Sequence, residues 1–268
     1  MAENKLKIVK VPFSGGGLGH GDGSNKAPEI IIKQLENIFS NEDGSVCKFK
    51  IDDSLIDLDE RNISESHTKI EEKSEKNIEK SIYVGGDHSI TYPLIKGFMK
   101  NKNKEEIQLI VFDAHPDLME DFNPPTQEDY LRSIIEQRIL IPENVFIFGL
   151  RNWDGIELNF LKSNNIRYLS CNDIFERGFK KSIKELSDWI KGDFYLSIDI
   201  DVVDPVEAIG TGYIEHGGLS SRELIYAIQR IKKKGNLLMA DIVEVNPEKD
   251  INDITSILAA KLIGELFN

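Results

Sequence analysis

The stretch IQLIVFDAHPD (residues 107–117) is the clearest guide to the fold, because an apolar run leads directly into a motif of acidic and imidazole side chains. Its first part, IQLIVF, is almost continuously apolar, which is typical of a strand buried on both faces of a parallel sheet. Similar or shorter runs recur along the chain. They predict strands at 5–12, 49–58, 81–85, 107–113, 144–149, 166–169, 194–200 and 237–244.

Helical periodicity occupies the segments between these strands. In APEIIIKQLENIF (27–39) apolar residues recur at i, i+3, i+4 and i+7, and Ser220 with Glu223 forms a capping-box pattern before another such segment. The predicted helices are 27–39, 91–100, 128–138, 180–191, 221–234 and 253–267. The alternation predicts a single α/β domain over residues 1–268, with three αβα layers and a mostly parallel, eight-stranded sheet.

The composition limits the partners and the environment of the chain. A net charge of −13 argues against nucleic acids and anionic membranes as main partners and is compatible with a small cationic substrate. No apolar stretch approaches the roughly 20 residues of a membrane span. The N-terminal residues lack the apolar region of a signal peptide, and two distant cysteines, Cys47 and Cys171, give no disulfide framework. We therefore expect a cytoplasmic protein.

One polar stretch does not fit a core element. Residues 61–81 (RNISESHTKIEEKSEKNIEKS) are rich in charged side chains, which predicts a solvated helix or loop. On this interpretation His67 is an exposed surface residue.

Three motifs with acidic and imidazole side chains lie at or just after the carboxyl ends of predicted strands. They are GGDHS (85–89), DAHPD (113–117) and SIDIDVVDP (197–205). Ligand crevices of open α/β sheets form at this edge, and alternate residues of an extended segment point to the same side. Each residue alone could be a helix cap or a turn former, but together the motifs offer four carboxylates and two imidazoles.

This set of side chains predicts a centre of two divalent metal ions. Four carboxylates cannot all ionise in one crevice without cations. A mixture of oxygen and nitrogen ligands favours manganese over zinc or iron, and a set without cysteine is unlike a structural zinc site. Two such ions, roughly 3.5–4 Å apart, would activate a water molecule between them. The candidate ligands are His88, Asp113, His115, Asp117, Asp199 and Asp201.

The order of the motifs resembles the ureohydrolase family, which includes arginase, agmatinase, guanidinobutyrase and formimidoylglutamase. The resemblance covers almost the whole chain and implies the arginase-like three-layer fold and two Mn²⁺ ions. It rests on VPFSGGG (11–17), GSNKAPEII (23–31), VGGDHSITYPL (84–94), VFDAHPD (111–117), FGLRNWDGIE (148–157), SIDIDVVDP (197–205), GTG (210–212), GGLS (217–220), DIVEVNPEKD (241–250) and ITSILAAKLIGEL (254–266).

The resemblance also implies how the candidate ligands share the two ions. Asp113 and Asp199 would bridge them. One ion would be bound by His88, Asp113, Asp117 and Asp199, and the other by Asp113, His115, Asp199 and Asp201.

A mechanism follows from the same resemblance. A hydroxide between the two ions would attack the carbon of a small cationic guanidino substrate. Glu244 would hold the guanidinium group by charge-assisted hydrogen bonds, and Asp201 would pass a proton to the leaving amine. Asp154 would help to bind the amino end of the substrate. Because the family usually forms trimers or hexamers, we expect a homo-oligomer.

The segment after DAHPD departs from the family. Many arginases and agmatinases carry a histidine here that is thought to shuttle protons, whereas residues 118–135 contain none. Gln127 takes this place by spacing, and glutamine can position a substrate but cannot relay a proton near neutral pH. The remaining candidates for that role are His20, in a glycine-rich loop, and His216.

These features predict an agmatinase-like hydrolase that releases urea from a guanidino substrate. The Asn and Ser residues with which arginases grip the substrate carboxylate are missing, and Met119, Glu120 and Asp121 stand nearby instead. Arginase activity and formimidoylglutamase activity, the latter releasing formamide, remain alternatives. So does a metal-binding but catalytically weak member with a regulatory role, because the shuttle histidine is absent. A nucleotide-binding α/β protein is disfavoured, since no phosphate-loop pattern is present.

Overall fold

Eight strands form one sheet in the computed structural model, which describes residues 6–20, 22–52, 57–77 and 79–266. The strands are β1 (Leu6–Val11), β2 (Phe49–Asp52), β3 (Ser81–Gly85), β4 (Ile107–Phe112), β5 (Val145–Leu150), β6 (Arg167–Ser170), β7 (Asp193–Asp199) and β8 (Asn236–Val243). Their order across the sheet is β2-β1-β3-β8-β7-β4-β5-β6. All neighbouring strands are parallel, so the sheet is wholly and not just mostly parallel.

The α-helices of the described residues connect these strands and cover the sheet. They are α1 (Ala27–Leu35), α2 (Ile63–Glu75), α3 (Thr91–Met99), α4 (Tyr130–Glu136), α5 (Gly155–Ser163), α6 (Cys171–Arg177), α7 (Phe179–Trp189), α8 (Ser221–Ile231) and α9 (Ile254–Leu266). Within the described ranges, none of them has the length and apolar character needed to cross a membrane.

Alternate residues of each strand face opposite layers of helices, as the pleat of a strand requires. On one face, strand residues such as Ile110 and Leu196 pack against α1 and α6 to α9. On the other face, Leu109 and Tyr195 pack against α2 to α5. The predicted three-layer arrangement is therefore confirmed, with the sheet in the middle and a hydrophobic core on each side.

The elements predicted from periodicity are confirmed, with ends that differ by a few residues. The helix predicted at 27–39 ends at Leu35. In the strand predicted at 49–58, Phe49–Asp52 form β2, residues 53–56 lie outside the described residues, and residues 57–58 are not in a strand.

Among the helices that the structure describes, three begin with a capping box. The one predicted for α8 is present: the Ser220 side chain accepts from the Glu223 backbone, and Glu223 accepts from Ser220. The sequence did not predict α5 and α6, although Asp154 and Ser170 begin them with the same motif. Both helices are short, so their apolar periodicity is weak and the cap was the only local signal.

The prediction for His67 is wrong, because this residue lies on the buried face of α2. Only 5% of it is exposed, and its ring lies between Phe13 and Tyr92, with centroid distances of 5.9 Å to each. Neither ring nitrogen has a hydrogen-bond partner among the described residues. The pattern was misleading because the buried face of α2 carries three polar side chains and one apolar one: Ser66, His67, Ile70 and Ser74.

Candidate metal centre

The predicted site residues meet at the carboxyl edge of the sheet, near its middle. The strands β3, β8, β7 and β4 lie side by side. His88, Glu244, Asp199 and Asp113 lie at or just beyond the ends of these strands, in that order. Asp154 follows β5, the next strand in the sheet. Because all strands are parallel, residues that are distant in sequence converge at this edge.

The His88 ring points its Nδ1 atom towards three carboxylates. The Oδ2 atoms of Asp113, Asp117 and Asp199 lie 3.1, 3.2 and 3.1 Å from this nitrogen. Nevertheless Nδ1 of His88 and Oδ2 of Asp113 are buried without a hydrogen-bond partner in the described residues. A nitrogen with three carboxylate oxygens close to it, where two of these atoms have no hydrogen bond, forms a set that a cation would satisfy.

A second group consists of Asp113, His115 and Asp201. Nδ1 of His115 lies 2.9 Å from Oδ2 of Asp201 and 3.7 Å from Oδ1 of Asp113. The ligand atoms of this group lie within 4.8 Å of one another, and so do those of His88, Asp113 and Asp117. Asp113 belongs to both groups, which is the position of a bridging ligand.

Asp199 lies close to both groups, but it belongs to neither by the 4.8 Å limit. Its Oδ2 is 3.1 Å from Nδ1 of His88, while its Oδ1 accepts from the backbone N–H of Asp201 at 2.8 Å. The second contact fixes the turn that separates Asp199 from Asp201. The structure therefore brings all six predicted ligands together and leaves the bridging role of Asp199 as a prediction.

The backbone around His88 is fixed by a close approach. The neighbouring Gly86 packs on the carbonyl oxygen of Phe13, where a Cβ would lie 1.8 Å away. Only glycine fits there. The Asp87 side chain then accepts from the backbone of Gly16 at 2.8 Å and ties the N-terminal glycine-rich loop to the site.

The centre holds more negative charge than its burial tolerates. Burial, reinforced by Asp117 and Asp201, raises the pKa of Asp113 to about 8, and burial raises the pKa of Asp117 to about 6. Burial and Asp201 raise the pKa of Asp199 well above its usual range. Burial would lower the pKa of His115, but Asp201 beside it raises the value to about 11. Protons thus take the place of cations in the metal-free chain.

A buried polar network behind His88 sets the orientation of its ring. Nε2 lies 2.9 Å from the Ser197 hydroxyl, which donates to Asp241 at 2.6 Å. Asp241 also accepts from the hydroxyls of Thr91 and Tyr195. Because Ser197 gives its proton to Asp241, its oxygen accepts from Nε2–H. This tautomer leaves the Nδ1 lone pair available to a metal ion.

The two groups border a cavity of about 230 Å³, which limits a ligand to a small molecule. Among the described residues, its lining includes no lysine or arginine. It does include four carboxylates besides the six candidate ligands: Glu128, Asp154, Glu157 and Glu244. A cavity of this charge attracts a cationic ligand.

Three side chains offer unpartnered polar atoms to this cavity. Glu244 accepts from the backbone N–H of His88 with Oε1 at 2.6 Å, while its Oε2 has no partner. Both polar atoms of the Gln127 side chain and the hydroxyl of Thr211 are also buried without partners in the described residues. Buried polar groups are normally hydrogen-bonded, so these atoms are available to a polar ligand.

The other predicted residues lie at or beyond the cavity mouth. Asp154 is exposed, and its Oδ1 accepts from the backbone of Ile156 at 2.8 Å, so it also caps α5. His20 is exposed and stacks on Tyr213 with a centroid distance of 4.4 Å. His216 is exposed, and neither histidine is among the described residues that line the cavity.

Sequence reasoning missed several residues of the cavity wall, among them Glu128, Glu157 and Tyr213. Glu157 accepts from the backbone of Asp154 as part of the capping box and from Leu118 at 3.0 Å. The D-x-x-E spacing could have revealed this residue. No local pattern marks Glu128 and Tyr213, which meet only when the chain folds.

Comparison with known proteins relates the chain to one family. A family model described as "Arginase family" matches residues 4–268. Arginase from Staphylococcus aureus (strain COL) is 29% identical over 262 residues, which cover 91% of this chain and 82% of that protein. Agmatinase from Bacillus subtilis (strain 168) is 33% identical over 204 residues, which cover 74% of this chain and 67% of that protein. The solved structure of formimidoylglutamase from Bacillus subtilis subsp. subtilis str. 168 is similar with a TM-score of 0.89 and 27% identity, and the match covers 100% of this chain and 88% of that chain.

Proposed function

The chain belongs to the arginase family of hydrolases, and we propose that it is an agmatinase-like enzyme, which releases urea from a small cationic guanidino compound. The observation that carries the proposal is the charge of the cavity. Its described lining presents four carboxylates beyond the candidate ligands and no lysine or arginine. A guanidinium group and a second cation would both be attracted, whereas a substrate carboxylate would find no cationic partner.

The residues at the strand ends fit two divalent ions. His88, Asp113, Asp117 and Asp199 would hold one ion, and Asp113, His115, Asp199 and Asp201 the other. The unpartnered Nδ1 of His88 and Oδ2 of Asp113 support this assignment. Four carboxylates with two imidazoles suit manganese. When bound, two Mn²⁺ ions supply a nucleophilic water at neutral pH and stabilise the negative charge that develops during hydrolysis.

Glu244 and Gln127 orient the substrate in this proposal. Oε2 of Glu244 accepts a charge-assisted hydrogen bond from the guanidinium group, and the carboxamide oxygen of Gln127 accepts another. Because glutamine does not titrate near neutral pH, Gln127 positions the substrate without moving a proton.

Asp201 is the group that moves a proton to the leaving amine. Although burial would raise its pKa, His115 beside it lowers the value, so the carboxylate is ionised and can accept the proton that it then passes on. Asp154, at the mouth, adds attraction for the amino end of the substrate.

Arginase and formimidoylglutamase activities are the alternatives within the family, and the similar proteins include both names. Arginine and formimidoylglutamate each carry carboxylate groups. The acidic lining of the cavity disfavours such groups, because a buried anion needs a cationic or hydrogen-bonding partner. The agmatinase-like function is therefore preferred.

A screen of guanidino and formimino compounds tests the proposal. The protein is reconstituted with Mn²⁺, its metal content is measured, and urea, formamide and ammonia are assayed with agmatine, arginine, 4-guanidinobutyrate and formimidoylglutamate. We expect urea from agmatine at roughly 1–1000 turnovers per second. Formamide as the main product, or a preference for arginine, would contradict the agmatinase-like function.

The catalytically weak, regulatory member is the second candidate, and the substitution Gln127→His distinguishes it. In an agmatinase-like enzyme we expect this change to lower kcat/KM, because it removes a substrate contact. A gain of about 100-fold or more, the usual contribution of a general acid–base group, would favour the weak member instead.

A further inference from the structure

Tyr213 forms part of the wall of the candidate cavity, and several contacts fix it. Its ring stacks on His20 at a centroid distance of 4.4 Å and meets the His115 ring edge-on at 5.4 Å. Its hydroxyl donates to Oε1 of Glu128 at 3.1 Å. The preceding Gly212 packs closely as well, since a Cβ there would lie 2.9 Å from the carbonyl oxygen of His20. The loop that carries Tyr213 is therefore held against the cavity.

Glu128 lines the same cavity, and within the described residues no basic side chain pairs with it. Its carboxylate is half-buried, and the Tyr213 hydroxyl occupies only Oε1. Its backbone is also fixed, because its carbonyl accepts from the N–H of Met119 at 3.0 Å. A carboxylate in this position can bind a cation with its second oxygen.

The neighbouring Gln127 gives an independent indication of a ligand. This residue is 4% exposed, and both polar atoms of its side chain lack partners although it borders the cavity. Two consecutive residues thus offer a carboxamide and a carboxylate to one bound molecule.

Glu128 is better placed for a strong ion pair than Asp154, the residue that the sequence suggests for the amino end. Asp154 is exposed and uses Oδ1 to cap α5. Exposed ion pairs contribute little, because water screens them and long side chains lose entropy. Glu128 is shielded further from water and is already oriented by Tyr213.

We propose that Glu128, positioned by Tyr213, binds the ammonium group at the far end of the substrate and thereby selects dicationic guanidino-alkylamines. The inference rests on the proposed function, in which Glu244 binds the guanidinium group. A neutral or anionic tail would leave the Glu128 carboxylate without its partner in a partly dry cavity. A site built for a polar group rejects analogues in this way.

Two substrates of equal size test this role in the manganese-loaded full chain. Agmatine ends in an ammonium group, and pentylguanidine carries a methyl group in its place. We expect Glu128→Gln to lower kcat/KM for agmatine about 10- to 100-fold, mainly through KM, because a charge-assisted hydrogen bond becomes a neutral one. For pentylguanidine we expect less than about a threefold change. Tyr213→Phe, which removes only the positioning hydroxyl, should give a smaller loss with the same preference.

Glu120→Gln serves as the matched control, since Glu120 is an exposed acid of the same segment outside the cavity lining. We expect it to leave both substrates unaffected. Equal losses with agmatine and pentylguanidine for Glu128→Gln would overturn the proposal and show a structural role. No loss with either substrate would overturn it as well.

A binding measurement separates this inference from the proposed function. Calorimetric titration with 1,4-diaminobutane and with 1-aminopentane needs no turnover. We expect Glu128→Gln to weaken binding of the diamine about 10-fold or more relative to the monoamine. If the wild type hydrolyses no guanidino compound, the proposed function fails, and the titration still decides whether Glu128 recognises the second cation. An unchanged ratio of the two affinities would sink the inference alone.

Discussion

Glu244 has a backbone conformation that few residues adopt. Its φ of 63° lies in the left-handed region, which costs a residue other than glycine about 1–3 kcal/mol. This conformation turns the carboxylate into the cavity, where Oε1 accepts from His88 and Oε2 has no partner. Burial, together with Asp199, raises the pKa of Glu244 well above its usual range. The attraction of a bound cation would offset the cost of this backbone conformation and the cost of burying the carboxylate. Glu244 and a cationic substrate should therefore stabilise each other.

The substitution Glu244→Gln tests this dependence on charge. We expect kcat/KM for a guanidino substrate to fall about 10- to 100-fold, mainly through KM, because the charge-assisted hydrogen bond is lost. Glutamine can still accept from the backbone of His88, so the metal content should match that of the wild type. Steady-state kinetics and metal analysis on the same preparation check both points. A parallel loss of metal would show instead that Glu244 supports the ligands.

Asp113 and His115 should differ in how many ions their loss removes. Asp113 belongs to both groups of potential ligands, whereas His115 belongs to one. We expect about two ions per chain in the wild type, about one in His115→Asn and fewer than one in Asp113→Asn. Metal analysis after dialysis measures this directly. Equal stoichiometry in the two variants would rule out a bridging role for Asp113.

At the scale of elements, the strands of the sheet were predictable and the polar helices were not. A strand buried on both faces, such as β4, is an apolar run that no exposed element resembles. The helix α2 buries Ser66, His67 and Ser74 with a single isoleucine, so its sequence gives no amphipathic signal. Local patterns report the average polarity of a face. They do not show whether a particular polar side chain can be buried because it is small or because it is uncharged in the folded protein.

The residues of the candidate site also include some that local sequence patterns predicted and some that they did not. The six potential ligands were predictable because each follows a strand, and parallel strands bring their carboxyl ends together. Tyr213 and Glu128 were not, since they lie 85 positions apart and meet through the packing of two loops. Loop contacts of this kind depend on tertiary structure, which has no counterpart in local sequence patterns.

The buried His67 of α2 predicts an acid-sensitive contribution to stability. Burial, helped by the positive charge of Lys96, lowers its pKa to about 4 from a usual 6.5. Below pH 6.5 the unfolded chain therefore gains a proton that the folded chain does not. Stability falls as the pH decreases from about 6.5 to about 4, by up to about 3 kcal/mol in total.

The substitution His67→Phe should remove this term. Relative to the wild type, we expect the variant to gain unfolding free energy as the pH decreases from 7 to 4.5, because phenylalanine cannot be protonated. Urea denaturation at several pH values measures the difference, and contributions from other groups cancel in it. His216→Phe is the control, since His216 is exposed. A difference between His67→Phe and the wild type that is independent of pH would refute the account.

At the scale of the whole molecule, the fold concentrates negative charge in a chain that already carries −13. Four aspartates, two from each of two motifs, come together at the sheet edge only after β4 and β7 have paired. Their repulsion is absent from the unfolded chain, where they lie in water. Folding and metal binding should therefore be linked, because ions that bind the folded state offset this repulsion.

This linkage should depend on pH in a definite direction. In the metal-free chain the pKa of Asp113 is raised to about 8 and that of Asp117 to about 6 by burial. The folded state therefore keeps protons that the unfolded chain releases above about pH 4, and stability decreases as the pH rises from there towards 8. Bound Mn²⁺ replaces these protons, and its affinity rises as the ligands ionise.

We expect the melting temperature of manganese-loaded protein to exceed that of chelator-treated protein by a margin that widens between pH 5.5 and 8. A stabilisation of about 4 kcal/mol at saturating metal would correspond to roughly 7 °C. Scanning calorimetry of both forms measures the margin, and Asp113→Asn should abolish most of it. A margin that stays constant or narrows with rising pH would show that these carboxylates do not bind the metal.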